Sequence, residues 1–343
     1  MSRIIVKNAS RSAELLWRSV RIKKSLDDIC HTLELEIPAS ERTRVNKHEK
    51  IEVRYENDLV KDSGGKRLVT TVMVDEITAG ADVSKHSLRV MGRSPARDII
   101  DSTWSGLLIN MTLYGITKNI CDKFGIDCVI IPTNAGDITE KVNTFEWQNE
   151  SPWTKLLTEA DGQKANGQSF MLTSNEAGGL YIWQAAGSAR QEGFHLTEGR
   201  NVKTVEWKAN GAEQFHEYII TGGGKDFSVI DPTCNNNRVL TMDLTNPVVD
   251  QEKLKRRAQT EMRRRRETRT TVTVSGWGLT DTQIKNLGET IGKEIFRVPN
   301  LLIPISMPSL GLQANLLIAE VEQEADTETV SSAITLVNRE AYL

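Results

Sequence analysis

Cysteine is scarce in this chain: Cys30, Cys121, Cys128 and Cys234 are the only 4 among 343 residues, and none makes a CxxC pair. They make no dense disulfide framework, and the reading is reduced, mostly buried thiols in a cytosolic setting. Clustered metal ligands are missing as well. His31, His48, His86, His195 and His216 form neither HxH nor HExxH, so neither metal nor cofactor is expected. There is no GxSxG elbow. Gly222-Gly223-Gly224-Lys225 fails as a phosphate loop: the outer glycines lack the required spacing, and Asp226 stands where Ser or Thr is needed. It reads as a turn. Glu34/Glu36 and Glu320/Glu322 alternate as in strands and read as a solvated sheet face rather than an acid pair. The chain is read as having no active site, and so as not an enzyme.

Long apolar runs are also lacking. The most apolar long window, residues 301–319, is broken by Pro304 and Pro308 and carries Gln313 and Asn315, so no membrane insertion is expected. The opening MSRIIVKNAS lacks the apolar core of a signal peptide. Nor is there an excess of one charge. With 43 basic and 46 acidic residues the net charge is −3, which argues against a protein that coats nucleic acid throughout.

What the chain does have is strand alternation, in two blocks. Residues 20–22, 33–37, 51–55, 72–74 and 88–90 alternate apolar and polar, separated by turn signals at 38–40, 62–65 and 79–82. Between about 94 and 200 the period turns helical. Leu113, Ile116, Ile120 and Phe124 share a face that Gly125 ends, and Ser151-Pro152 starts a second helix over Trp153, Leu156, Leu157 and Ala160. Residues 170–172 and 180–183 flank a glycine-rich turn and read as a hairpin. Strands resume at 202–207, 216–220 and 239–244, then at 301–306, 316–322 and 334–337.

One helix stands apart. From Asp250, a cap candidate with Val249 as its staple, only Leu254, Ala258 and Met262 are apolar, at every fourth residue. Arg256, Arg257, Arg263, Arg264, Arg265 and Arg266 crowd the remainder, answered by Glu252, Glu261 and Glu267. Four successive arginines, at about 100° per residue, cover the whole circumference, so some must meet solvent or another molecule. The alternatives are a surface or intersubunit helix whose arginines pair with carboxylates, and a nucleic-acid-binding module whose arginines meet phosphates. The helix carries no aromatic residue to stack on bases. From Thr268 the period becomes two, a strand that ends at Gly276.

The two strand blocks resemble each other. Residues 33–37, 51–55, 72–77 and 88–92 can be set against 271–275, 301–306, 318–322 and 334–338. An Ala-Asp turn follows each third strand (Ala81-Asp82, Ala325-Asp326), and an arginine each fourth (Arg93, Arg339). The expected fold is mainly β with an α+β insertion. Residues 1–94 form a first small β-barrel, 95–200 an α/β module, and 201–343 a second, related barrel that includes the basic helix 250–268.

Three stretches carry a family resemblance: LRVMGRS with DIID (88–101), FEWQNESPW leading to LLTEA and GGL (145–180), and the basic helix followed by Val-x-Val-x-Gly-Trp. With the C-terminal LLIA and LVNREAY they resemble, in matching order over nearly the whole chain, the baseplate hub proteins of Mu-like contractile-tailed phages. One departure is Glu294-Ile295-Phe296, where the family's tryptophan is lacking. The resemblance implies a non-enzymatic virion component, assembled in the bacterial host cytoplasm and located in the tail baseplate. It implies a homotrimer whose two barrels per chain make a ring of six, joining tail tube to central spike. Its implied partners are itself, the spike, the tube and other baseplate proteins, with transient contact to genomic DNA in the exit channel. The arginines of the basic helix would then line a subunit interface or that channel.

Overall fold

The computed structural model describes residues 3–56, 66–81, 86–131, 140–162, 164–165, 168–184, 195–244, 251–277 and 299–342. The Asp250 cap with its Val249 staple, the turn at 62–65, Asp82 and residues 294–298 lie outside them. The first block forms β1 (Arg3–Asn8), β2 (Ala13–Leu15), β3 (Ser19–Ser25), β4 (Thr32–Pro38), β5 (Lys50–Glu56), β6 (Lys66–Ala81) and β7 (His86–Arg93). The middle block holds α1 (Arg97–Asp101), β8 (Trp104–Thr112), α2 (Leu113–Lys123), β9 (Cys128–Ile130), β10 (Lys141–Glu150) and α3 (Trp153–Gly162). It ends with β11 (Lys164–Ala165), β12 (Gln168–Ser174) and β13 (Leu180–Gln184). The last block has β14 (Leu196–Thr197), β15 (Thr204–Lys208), β16 (Glu217–Gly222), β17 (Lys225–Ile230), β18 (Val239–Asp243) and α4 (Gln251–Arg266). It closes with β19 (Arg269–Ser275), β20 (Leu302–Met307), β21 (Leu312–Ala325) and β22 (Val330–Val337).

Alternation decides which face is inside. Leu33, Leu35 and Ile37 of β4 are buried, as are Val272 and Val274 of β19, each contributing about 1.5–3 kcal/mol relative to exposure. Two helix punctuations behave as their chemistry demands. Gly125 takes φ 65° past α2, and the Ser151 hydroxyl accepts the Trp153 amide proton at 3.2 Å. The glycine-rich stretch at 222–225 is a two-residue hairpin, with Gly222 paired to Lys225 and φ of 57° and 75° at Gly223 and Gly224. Those angles favour glycine and twist the turn to match its strands. In the middle block the helical reading overlooked β8 and β10, which pair antiparallel.

The two strand blocks, expected as related small barrels, are joined to each other by strand pairing. The outer strands form one 13-stranded sheet along the open path β15-β19-β22-β21-β3-β4-β7-β6-β5-β1-β2, with β20 and β14 branching from β21. Among the described residues neither half closes on itself through hydrogen bonds. The physical reason is that β21 is long enough to pair twice on one edge: residues 312–317 hold β20, and 320–325 hold β3 of the other half.

The duplication is nonetheless written into the ladders. The order β3-β4-β7-β6-β5 recurs as β15-β19-β22-β21-β20. In β6 against β7 the register slips between Val74 and Glu76; in β21 against β22 it slips between Ile318 and Glu320. These bulges and the hairpins beyond them match at one constant spacing: Val74 with Ile318, Glu76 with Glu320, Ala81 with Ala325, His86 with Val330 and Gly92 with Leu336. The Ala-Asp alignment is therefore in register, whereas Arg93 corresponds to Val337 and not to Arg339. The first strands likewise slide by one residue, Leu33 corresponding to Thr270.

Candidate assembly surfaces

The basic helix lies on a sheet of its own. Strands β17, β16 and β18 form a 3-stranded sheet inserted between β15 and β19. Leu254 and Ala258 bury against Ile220 and Leu244, with Phe227, Val229 and Met242 around them. That contact explains the narrow apolar stripe. Of the six arginines singled out, none is exposed and none fully buried. Arg257 and Arg265 converge on the Glu261 carboxylate at 3.2 and 2.7 Å. The Arg264 guanidinium stands over the Tyr342 ring and that of Arg265 over Phe215, both at 5.4 Å. Arg256 and Arg263 are likewise engaged within the chain, and the Arg266 carbonyl accepts from the Gln214 side chain at 3.4 Å. Four arginines in the last turn also complement the negative end of the helix dipole. Lys253 reaches the buried Glu159 of α3 at 3.1 Å, tying this layer to the middle block. Phe215 and Tyr342 are far from the helix in sequence, so no local pattern announces them.

The resemblance motifs are structural joints. Gly92 lies where an added Cβ would meet the Met73 carbonyl oxygen at 2.6 Å, so any side chain there would push β6 and β7 apart. Arg93 binds Asp75, the bulged residue of β6, at 2.8 Å and also Asp101 of α1. It holds the Asp101 carboxyl below its ordinary range. Arg97, nearly buried, binds Asp75 from the other side. Ser94 shares a 2.6 Å hydroxyl contact with Ser174 of β12, joining the first half to the middle block. Trp277, just after β19, is fully buried in the core of the other half. It stacks on Tyr55 and donates its indole N–H to the Glu324 carbonyl at 2.9 Å.

The two halves meet along β3 and β21, six residues in antiparallel register from Val20↔Ala325 to Ser25↔Glu320. One face is buried, with Val20, Ile22 and Val321 at or near 0% exposure beside the polar Lys24 and Gln323. The other is a charge ladder: Arg21 with Glu322 and Glu324, and Lys23 with Glu320 at 2.9 Å. Such exposed pairs specify register more than they stabilise. At the end of this seam Lys24 is 2% exposed and donates to the Val69 carbonyl at 2.7 Å. Burial lowers its pKa to about 8. His31 beside it is held well below its usual value, first by burial and then by Lys24. Both line a cavity of about 200 Å³ with Arg67, Thr173, Tyr181 and Trp183, so all three blocks of the chain meet around a polar centre.

The fold has close counterparts. The prophage MuSo2 43 kDa tail protein from Shewanella oneidensis superposes with a TM-score of 0.76 at 23% identity, over 99% of this chain and 98% of that one. The tail protein from Neisseria meningitidis MC58 gives 0.75 at 16% identity, again over 99% and 98%. The Escherichia coli c3393 protein, a component of the type VI secretion system with structural similarity to T4 bacteriophage tail proteins gp27 and gp5, gives 0.59 at 9% identity, over 96% and 76%. No protein-family model matches the chain, and no curated protein matches it in sequence. The chain has, over 99% of its length, the fold of these tail proteins.

Proposed function

We propose that this protein is a structural component of a phage tail, the baseplate hub that joins the tail tube to the central spike. The observation that carries this reading is the doubled ladder, found in a chain whose fold matches a prophage tail protein and a second tail protein over 98% of each. A chain with two copies of one sheet unit can answer two symmetries at once. Three chains present six similar units to a six-fold tube while keeping three-fold symmetry toward a spike. The partners are further copies of itself, the spike, the tube and neighbouring baseplate proteins. Its place is the virion tail, around the channel through which DNA leaves, and its work is mechanical rather than catalytic.

In this hub the basic helix is chiefly an assembly element. Pairing of Arg257 and Arg265 with Glu261, and stacking of Arg264 and Arg265 on aromatic rings, support a scaffold that fixes the inserted sheet. Contact with passing DNA is its secondary role. Sedimentation of the full chain tests the hub directly: a trimer of the 38.4 kDa chain is expected, and a monomer at micromolar concentration contradicts it. Replacing Arg263 to Arg266 with glutamine should lower salt-sensitive retention on DNA; unchanged retention at low salt removes the DNA role.

A further inference from the structure

The doubled ladder leaves one position of the repeat filled and its equivalent open. Within one chain, the outer half of β21 (320–325) is covered by β3. The equivalent outer half of β6 (76–81) pairs with β7 on one edge, while β5 stops opposite residue 73. The strand equivalent to β3 is β15. Both pair antiparallel with the first strand of their repeat, Lys23 opposite Thr32 and Lys208 opposite Arg269. β15 ends the sheet path, with β19 as its one strand neighbour among the described residues.

Exposure follows the same division. Ile22 of β3 is 0% exposed, whereas Trp207, its equivalent in β15, is 55% exposed although it stands opposite the buried Thr270. Val20 is buried and its equivalent Val205 only half so. On the facing strand, Gln323 is buried whereas its equivalent Ala79 is exposed, and Val321 is buried whereas Ile77 is half-buried. A tryptophan on the core side of an unpaired edge strand lacks the cover that its counterpart has. Such an edge is also a template for another strand.

We propose that residues 76–81 of β6 pair antiparallel with β15 of a second copy of this chain, in the register that β21 and β3 use within one chain. Transferring that register sets Val205 opposite Ala81, Glu206 opposite Gly80, Trp207 opposite Ala79 and Lys208 opposite Thr78. Trp207 then covers Ala79 and Ile77 as Ile22 covers Gln323 and Val321. The charges transfer too. Lys23 pairs with Glu320 inside the chain, and the equivalent residues are Lys208 and Glu76, so the same lysine–carboxylate bridge forms between copies. The two edges are different surfaces, so the contact is head-to-tail and closes into a ring when the rotation allows. The inference rests on the self-assembling hub reading and assigns the strands that make it.

The test uses the full chain carrying Trp207→Cys and Ala79→Cys, oxidised and run on a non-reducing gel. Directly opposed residues bring their Cβ atoms to about 4.5–5.5 Å, close to disulfide reach, so chain-linked trimers are expected. A control with Trp207→Cys and Thr78→Cys, whose side chains leave opposite faces of the sheet, should link far less. Lys208→Glu should raise the dissociation concentration several-fold, and adding Glu76→Lys should restore assembly. A sedimenting trimer with no 79–207 link and no charge-swap rescue overturns this pairing while leaving the hub intact. A monomer at all concentrations overturns both.

Discussion

The two halves of the large sheet carry the same five strands in the same order, and two of their differences show what each half holds. The first is the insertion between the leading strands. In the first half the chain passes from β3 to β4 through residues 26–31; in the second it builds a 3-stranded sheet and α4 between β15 and β19. The second is the bulge. In the first half it presents Asp75, clasped by Arg93 and Arg97. In the second it presents the fully buried Ala319, whose carbonyl accepts the Leu26 amide proton at 2.8 Å. A β-bulge re-aims whichever residue sits on it. One half uses the device to anchor the middle block through charge, the other to seat the opposite half through backbone. The common ladder sets the shape, and the differences decide what each unit holds.

Breaking the joint between the halves should have the largest effect. Trp277→Ala removes a fully buried indole that reaches from β19 into the other half's core, and should destabilise by about 3–5 kcal/mol, measured by urea denaturation of the full chain. Making the first bulge like the second is the next test. Asp75→Ala strips the nearly buried Arg97 of its main partner while Asp98 remains at 3.3 Å, and should cost roughly 2–3 kcal/mol. An unchanged midpoint would mean that the two bulges are interchangeable.

The polar centre between the blocks should respond to pH. Burial holds Lys24 at about 8 against the ordinary 10.5, so the unfolded chain binds this proton more tightly. The resulting penalty is full below pH 8 and fades as pH rises toward 10.5. Lys24→Met removes this penalty but leaves the Val69 carbonyl without its donor, so the variant's stability relative to the parent should fall as pH rises from 7 toward 10.5. His31, also depressed, acts at lower pH: stability should fall as pH drops below its ordinary 6.5. His31→Phe should flatten that limb. The smallest effect belongs to the seam's surface: a double-mutant cycle on Lys23 and Glu320 should give about 0.2–1 kcal/mol, declining with salt.

Strand positions were legible because alternation is a local consequence of one buried face, as at Leu33, Leu35 and Ile37. The doubled architecture was legible in outline, through the Ala81-Asp82 and Ala325-Asp326 turns. Its register was not, because a bulge adds a residue that no pattern of apolar residues marks. The merging of the halves into one sheet was equally hidden. It depends on β21 outrunning β20, a matter of relative strand length across the chain. For the basic helix, sequence showed the charge but not its destinations. Glu261 lies within a turn of Arg257 and Arg265, whereas Phe215 and Tyr342 approach only through the tertiary fold.

The central claim is that one chain contains the hub's repeating unit twice and that copies continue the arrangement into a ring. Electron-microscopic averaging of the full-length protein, assembled at micromolar concentration, tests this most directly. The expected image is a three-fold ring with six similar lobes around a central opening. A ring with three lobes of one kind, or particles the size of a single chain, would contradict it.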